Sequence, residues 1–348
     1  MKVIELRISA TRISRGIYIN WRYVNLREDR QVIPNKYYGN SYKTVVNIFV
    51  NYIDPFPIDI LIKGFDDDNY FTTIKDNIYA SYTSFMSYAK ETTMKKFIPK
   101  NAVALDVGAG KGQDIFRYNK LGVKSILAID KDSTAIVRLL NRWMDYYMYN
   151  KDKRVTLKAT LHTIVLDMNV DFIKNVEQIK CKFTDKYDII VCNLAVHYFL
   201  ESIVSMNNFI SFCNDLLNVG GVVIITCLSG EKIFNKVITT GLYELYENNI
   251  LKFSIKKIFN DTTFEKSGQR IEVLLPFSNG KYYTEFLVNL NTLKEEFCKK
   301  AFTTEYEMCM IDMLDHFKEI NRTVYDKLNE IDKEYIDLFS AIVFKKTI

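Results

Sequence analysis

Short apolar runs of strand length recur along the middle of the chain, separated by stretches whose apolar residues keep helical spacing, and this alternation predicts an open, mostly parallel sheet with helices on both faces. The first run is Val103, Ala104, Leu105 and Val107. Gly108, Gly110 and Gly112 follow it as a tight turn, and a helix is expected over Lys111–Leu121, with Ile115 and Leu121 apolar and Gly122 closing it. Ser125–Ile129 reads as the second strand and Ser133 to about Tyr149 as the next helix. Leu161–Leu166 is a third strand, Val170–Ile179 a connecting helix and Tyr187–Cys192 a fourth strand. A helix over Ser202–Leu217 leads through Gly220 and Gly221 into a fifth strand, Val222–Cys227.

The flanks are less regular. Val3–Ile8 and Ile17–Val24 are strand-like, Leu26–Thr44 is basic and turn-rich, and Val45–Ile53 fits a short helix that stops before Pro55 and Pro57. Tyr70–Phe97 has helical spacing, with Tyr79, Tyr82 or Thr83, and Met86 on one face, expected against the edge of the sheet. Beyond the fifth strand, Leu251–Phe259, Ile271–Leu275 and Tyr282–Val288 read as strands. Asn291–Phe302 and Lys327–Leu338 read as helices, and Phe339–Phe344 as a closing strand. These late pieces are expected to supply the antiparallel hairpin that completes a seven-stranded sheet. The organisation is read as an extension, 1–64, and a main domain, 65–348.

At 348 residues with 48% hydrophobic residues, the chain can bury a sizeable core. The net charge of +5 suits an anionic partner without requiring one. The six cysteines form no CxxC pair and only three histidines could join them, so no metal centre is expected; Cys192 and Cys227 read as buried thiols of a reducing compartment. Asp66, Asp67 and Asp68 read as a solvated loop or cap rather than a metal site. No apolar run reaches membrane-spanning length and the first residues lack a signal peptide's apolar centre, so a cytoplasmic protein with no membrane contact is expected.

Chemistry concentrates at the glycine turn. A strand, a glycine loop and a helix, with Asp130 at the end of the next strand, bring bare backbone and a carboxylate to one place, as a nucleoside cofactor requires. The order GxGxG differs from the dinucleotide pattern GxGxxG, and a further acid, Asp167, follows the third strand, so S-adenosylmethionine is favoured over a dinucleotide. Side chains after the fourth strand, Asn193 to Tyr198, should face a substrate. Glu285, set among aromatic and aliphatic residues, needs a polar partner.

Several motifs in one order resemble the mRNA cap guanine-N7 methyltransferases: SYAK at 87–90, ALDVGAGKGQD at 104–114, Ile129-Asp130, YDIIVCNLAVHY at 187–198, TEF at 284–286 and LFSAIVFKK at 338–346. REDRQ at 27–31 and LLPFSNG at 274–280 are similar to stretches in the capping enzymes of cytoplasmic DNA elements of the African swine fever virus and yeast linear plasmid type. The resemblance implies an α/β class I methyltransferase fold and methyl transfer from S-adenosyl-L-methionine to N7 of the guanine of GpppRNA. It also implies a larger capping polypeptide whose triphosphatase and guanylyltransferase domains precede this part. The residues leave open whether a stimulatory subunit takes part.

Carried over by motif, Lys90, Gly108, Gly110, Asp114, Asp130, Asp167 and Asn193 would hold the donor, with Lys90 on its carboxylate, Asp130 on ribose and Asp167 on adenine. Lys111 and Arg142 would meet the cap phosphates, and His197, Tyr198, Glu285 and Phe339 the guanine. Ala109, Asn193 and Phe339 stand where the family has Cys, Gln and Tyr, and the Asn193 backbone is expected to serve better than its side chain. No acid or base is expected, since N7 carries its own lone pair; His197 as a general base is the rival role. A cap ribose 2′-O methyltransferase and a silent RNA-binding or subunit-docking module are the alternative functions.

Overall fold

The computed structural model describes residues 4–13, 16–26, 77–152, 159–169, 172–183, 186–275 and 280–348. The chain divides into two compact units, 1–68 and 69–348. In the first, β1 (Ile4–Ile13) and β2 (Gly16–Leu26) pair as an antiparallel hairpin. Asp66, Asp67 and Asp68, with the helix expected over Val45–Ile53, lie outside the described residues.

In the second unit, α1 (Ala80–Phe97) leads into β3 (Val103–Val107), α2 (Ile115–Lys120), β4 (Ser125–Asp130), α3 (Ser133–Asp152), β5 (Thr160–Val165), α4 (Phe172–Lys182) and β6 (Tyr187–Asn193). Then come α5 (Ile203–Leu216), β7 (Leu217–Leu228), α6 (Gly230–Val237), β8 (Leu242–Glu247), β9 (Ile250–Lys257), β10 (Arg270–Leu274) and β11 (Tyr282–Phe286). The chain closes through α7 (Leu290–Lys299), β12 (Phe302–Cys309), α8 (Leu314–Ile320), α9 (Arg322–Tyr325), α10 (Glu330–Ile336) and β13 (Phe339–Lys346).

Seven strands form the main sheet in the order β12-β13-β7-β6-β3-β4-β5. Strands β7, β6, β3, β4 and β5 are mutually parallel, while β13 runs antiparallel to β7, and β12 to β13. Alternate residues of the central strands feed two cores, as period-2 geometry demands. Ala104, Ile126, Ala128 and Val191 pack under Met94 of α1, Tyr118 of α2, and Leu139 and Trp143 of α3. Leu105, Val107, Ile129 and Ile190 pack under Ile179 of α4, Phe209 and Cys213 of α5, and Phe297 of α7. Sequence order reverses between β3 and β6, so their carboxyl ends diverge into a crevice.

A separate antiparallel sheet, β11-β10-β9-β8, makes the main difference from the expected fold. The runs at 251–259, 271–275 and 282–288 belong to it and not to the methyltransferase sheet; the completing hairpin is β12 with β13. Two strands escape the hydrophobic pattern. β8 turns into β9 through Asn248 and Asn249, with φ of 50° and 63°, a two-residue hairpin turn built without glycine. β12 (FTTEYEMC) has no apolar run because it is an edge strand, and the helix expected to reach Phe302 ends at Lys299 with Ala301 at φ 60°. The expected helix over Lys111–Leu121 starts only at Ile115, since Gly110 and Gly112 both have positive φ.

The aromatic face of α1 packs beside the main sheet at Leu228 of β7 and Phe339 and Ala341 of β13, and extends from there to the second sheet. Tyr82, Phe85 and Met86 join a third core with Phe253 and Ile255 of β9, Phe317 of α8 and Tyr335 of α10. Phe253 stacks on Tyr335 at 3.8 Å. Lys252, with a side chain wholly out of solvent, pairs with Asp332 of α10 at 2.7 Å and Glu247 of β8 at 2.5 Å. Cys192 and Cys227 are buried, as read from their apolar runs. Among the described residues no helix is long and apolar enough to cross a membrane, and no group of three or more His, Cys, Asp or Glu could hold a metal.

Removing one partner of a buried ion pair leaves the other charge uncompensated, at a cost of about 3–5 kcal/mol. Lys252→Ala, which leaves buried Asp332 without its cation, is therefore expected to lower the urea unfolding midpoint far more than Lys333→Ala, measured by intrinsic fluorescence.

Candidate functional site

The crevice floor is the loop after β3. Gly108 and Gly110 have φ of 71° and 52°. A Cβ on Gly108 would stand 2.4 Å from the Cβ of Ala195, so the loops after β3 and β6 can close on each other only because residue 108 has no side chain. Gly110 N–H donates to Asp130 Oδ2 at 2.7 Å, and Asp132 N–H to Asp130 Oδ1 at 2.9 Å. Burial raises the Asp130 carboxyl, and the two amides oppose that rise. Val165 pairs with Asp130 across β4 and β5, which brings Asp167 to the neighbouring strand end, exposed and accepting from Asn169 N–H at 2.9 Å.

Behind the loop lies a buried polar cluster centred on Asp114. Lys90 Nζ reaches its two oxygens at 3.0 and 3.2 Å, Asn193 Nδ2 donates to Oδ2 at 2.9 Å, and Arg117 clasps Oδ1. Thr226 Oγ1 in turn donates to Asn193 Oδ1 at 3.0 Å. Burial pushes Asp114 upward, but Lys90 and Arg117 outweigh it and hold the carboxyl below the usual range. Asp106 of β3 is pushed up to about 8 by its own burial and by the Asp114 charge, so it stays neutral at pH 7. The Asn193 side chain thus bridges Asp114 and Thr226.

A second group lies past β6. Leu194 takes the left-handed conformation at φ 55°, and its N–H donates to Thr226 O at 2.8 Å, turning the chain into the short helix Val196–Phe199. That turn buries His197, with Nε2 at 3.6 Å from Oε1 of Glu285 on β11. Nε2 has no hydrogen-bond partner among the described residues. Burial alone pushes Glu285 up to about 8 and His197 down to about 3, so the pair is neutral at pH 7. The Tyr198 ring sits edge-on to His197 at 4.1 Å. Phe339, at the start of β13, is buried between Tyr82 and Tyr335, and both tyrosines lie close enough to feel the Glu285 charge.

Cations form the third group. Lys111 in the glycine loop is pulled down to about 8 by burial and by Arg138 and Arg142 of α3, against the pull of Asp132. Arg142 is itself lowered by burial and steadied by Asp114.

The sequence matches the family described as the mRNA (guanine-N(7))-methyltransferase domain over residues 75–344. The chain belongs to this family. It is 33% identical to the mRNA-capping enzyme of African swine fever virus over 99% of its own length and 40% of that protein. It is 25% identical to the mRNA cap guanine-N(7) methyltransferase of Caenorhabditis elegans over 53% of its own length and 43% of that protein. The chain therefore spans well under two thirds of the curated relatives it matches. A solved S-adenosylmethionine-dependent methyltransferase of Clostridium acetobutylicum aligns with a TM-score of 0.44 at 12% identity, covering 88% of this chain and 99% of that one.

As a member of the guanine-N7 methyltransferase family, the chain uses S-adenosylmethionine as donor. The crevice fits that molecule: backbone without side chains, a carboxylate at a strand end and a buried ammonium stand together. Lys90, Gly108, Gly110, Asp114, Asp130, Asp167 and Asn193 all gather there, although Lys90 spends its charge on Asp114. His197, Tyr198, Glu285 and Phe339 converge from β6, β11 and β13, with Lys111 and Arg142 beside the loop. Sequence reasoning missed Asp106, Arg117 and Thr226, and missed Tyr82 and Tyr335 beside Glu285. An Asp inside an apolar strand was the one signal available, at Asp106.

Asp130→Ala is expected to weaken S-adenosylmethionine binding more than tenfold, while Glu285→Ala leaves donor affinity within twofold; isothermal titration calorimetry measures both.

Proposed function

We propose that the chain transfers methyl from S-adenosylmethionine to N7 of the cap guanine of GpppRNA, giving m7GpppRNA, in the cytoplasm. The Glu285–His197 pair carries this reading. A buried acid and a buried imidazole with an orphaned nitrogen, beside the Tyr198 ring, are polar groups suited to a flat polar ligand. Guanine offers N1–H and N2–H donors to a carboxylate, and its six-membered edge fits between rings.

S-adenosylmethionine supplies a methyl group already activated on a sulfonium. Guanine N7 presents a lone pair, so no side chain needs to remove a proton; the N7–carbon bond forms as the carbon–sulfur bond breaks, and positive charge passes to the guanine ring. Glu285, ionised once it accepts the guanine N–H groups, would offset that charge, while Lys111 and Arg142 hold the triphosphate. An imidazole depressed to about 3 is a weak base, which supports contact over proton transfer for His197. The RNA would reach the site after triphosphatase and guanylyltransferase steps have built its cap.

Labelled methyl transfer to GpppRNA and, in parallel, to m7GpppRNA tests the reaction. Label should appear in N7-methylguanosine from the first substrate alone. Label in a 2′-O-methyl nucleoside would replace this reading with ribose methylation, and donor binding without transfer to either RNA would replace it with a silent module.

The Glu285 shift fixes the sign of a pH effect. If guanine binds the carboxylate and the free protein holds the acid up to about 8, binding releases a proton. Cap affinity is expected to rise about tenfold per pH unit on approaching pH 8 and to level above it. Glu285→Gln should bind more weakly and lose that slope, as read by fluorescence titration with a cap analogue.

A further inference from the structure

The outer face of α3 carries an open groove of about 380 Å³, lined by Phe116 of α2 and by Arg138, Asn141, Arg142, Asp145 and Tyr146 of α3. Positions 138, 142 and 146 follow one another at i, i+4 and i+8, so cation, cation and aromatic ring form a stripe along the helix. The opposite face of α3, Leu139 and Trp143, is buried in the core. Phe116 and Tyr146 lie with ring centroids 4.4 Å apart and planes tilted by 37°, both partly exposed. Asn119 Nδ2 donates to the Tyr146 hydroxyl at 3.3 Å and holds that ring in place.

Phe116 and Tyr146 each rest one side on the core and leave part of the ring lining the groove. Two guanidinium groups beside a partly exposed ring pair offer phosphate contacts and a stacking surface together, which is what single-stranded nucleic acid needs. Asn141 can both donate to and accept from a base edge, and the Asp145 carboxylate can accept from an exocyclic amine. The groove also continues the site: Arg142 senses the Asp114 charge behind the donor loop, and Arg138 and Arg142 both act on Lys111 within it.

We propose that this groove seats the first transcribed nucleotide of the RNA. Its base lies against Phe116 and Tyr146, and the phosphate leading to the next nucleotide meets Arg138. The proposal rests on the cap reading, since it needs the triphosphate to end at Arg142. Cap recognition by Glu285 and strand recognition by α3 are then separate, and RNA binds more tightly than the guanosine end alone.

The test compares GTP, which has the guanine and triphosphate but no transcribed nucleotide, with a short GpppRNA, using the 348-residue chain. Phe116→Leu and Tyr146→Leu, singly and together, should raise the KM for GpppRNA about tenfold while leaving GTP turnover unchanged. An equal effect on both substrates, or none on either, overturns the proposal. Photocrosslinking of unaltered protein to GpppRNA carrying 4-thiouridine at the first transcribed position reads the same contact without variants or turnover. Adducts on Phe116, Asn141 or Tyr146 support the groove, and adducts confined elsewhere overturn it. Nuclease digestion shows separately whether methyl lies on N7, so a failure of the cap reading is distinguishable from a failure of the groove.

Discussion

One buried carboxylate ties the donor crevice together. Asp114 sits at the start of α2 and receives Lys90 from α1, Arg117 from its own helix and Asn193 from β6. Three elements far apart in sequence therefore converge on one charge. Burying a carboxylate without partners would be costly, and these partners more than reverse the rise in its pKa. Because Asn193 is also held by Thr226 of β7, the cluster fixes the ends of β6 and β7 relative to the glycine loop. Asp106, kept neutral directly below, leaves the cluster's negative charge on Asp114 alone.

Glu285 and His197 follow the opposite electrostatic logic. Among the described residues no cation pairs with Glu285 and no carboxylate lies at hydrogen-bond distance from His197, and burial moves each toward its neutral form. A site of that kind is poised to gain from a ligand that brings its own polar groups. The two sites differ in their supports as well. The parallel sheet holds the glycine-loop crevice, whereas the second site draws Glu285 from the second sheet and Phe339 from the strand that joins α10 to the main one. The Lys252–Asp332 pair, tying β9 to α10, keeps that second support in place.

The parallel core was legible because its strands are buried on both faces and read as unbroken apolar runs. Val103–Val107 and Tyr187–Asn193 left little choice. The edge strand β12 and the hairpin β8–β9 were not legible: one is half exposed and polar, the other turns on two asparagines where glycine would have announced a turn. In the donor site, Gly108, Gly110 and Asp130 follow from strand, turn and strand-end logic. Glu285 could be singled out as a carboxylate among aromatic residues, yet its neighbours Tyr82 and Tyr335 lie hundreds of positions apart in helices that read as ordinary packing.

By itself the sequence determined the alternating α/β pattern, the glycine loop with its acidic strand ends, and the motif order of the guanine-N7 methyltransferase family, because each depends on residues close together in the chain. Only the tertiary structure decided which residues meet across it. The late strands became a second sheet rather than an extension of the first, Asn193 joined Asp114 through its side chain, and α1 turned its aromatic face toward Phe253 and Tyr335. Those outcomes turn on burial and charge compensation among distant segments, which local spacing does not encode.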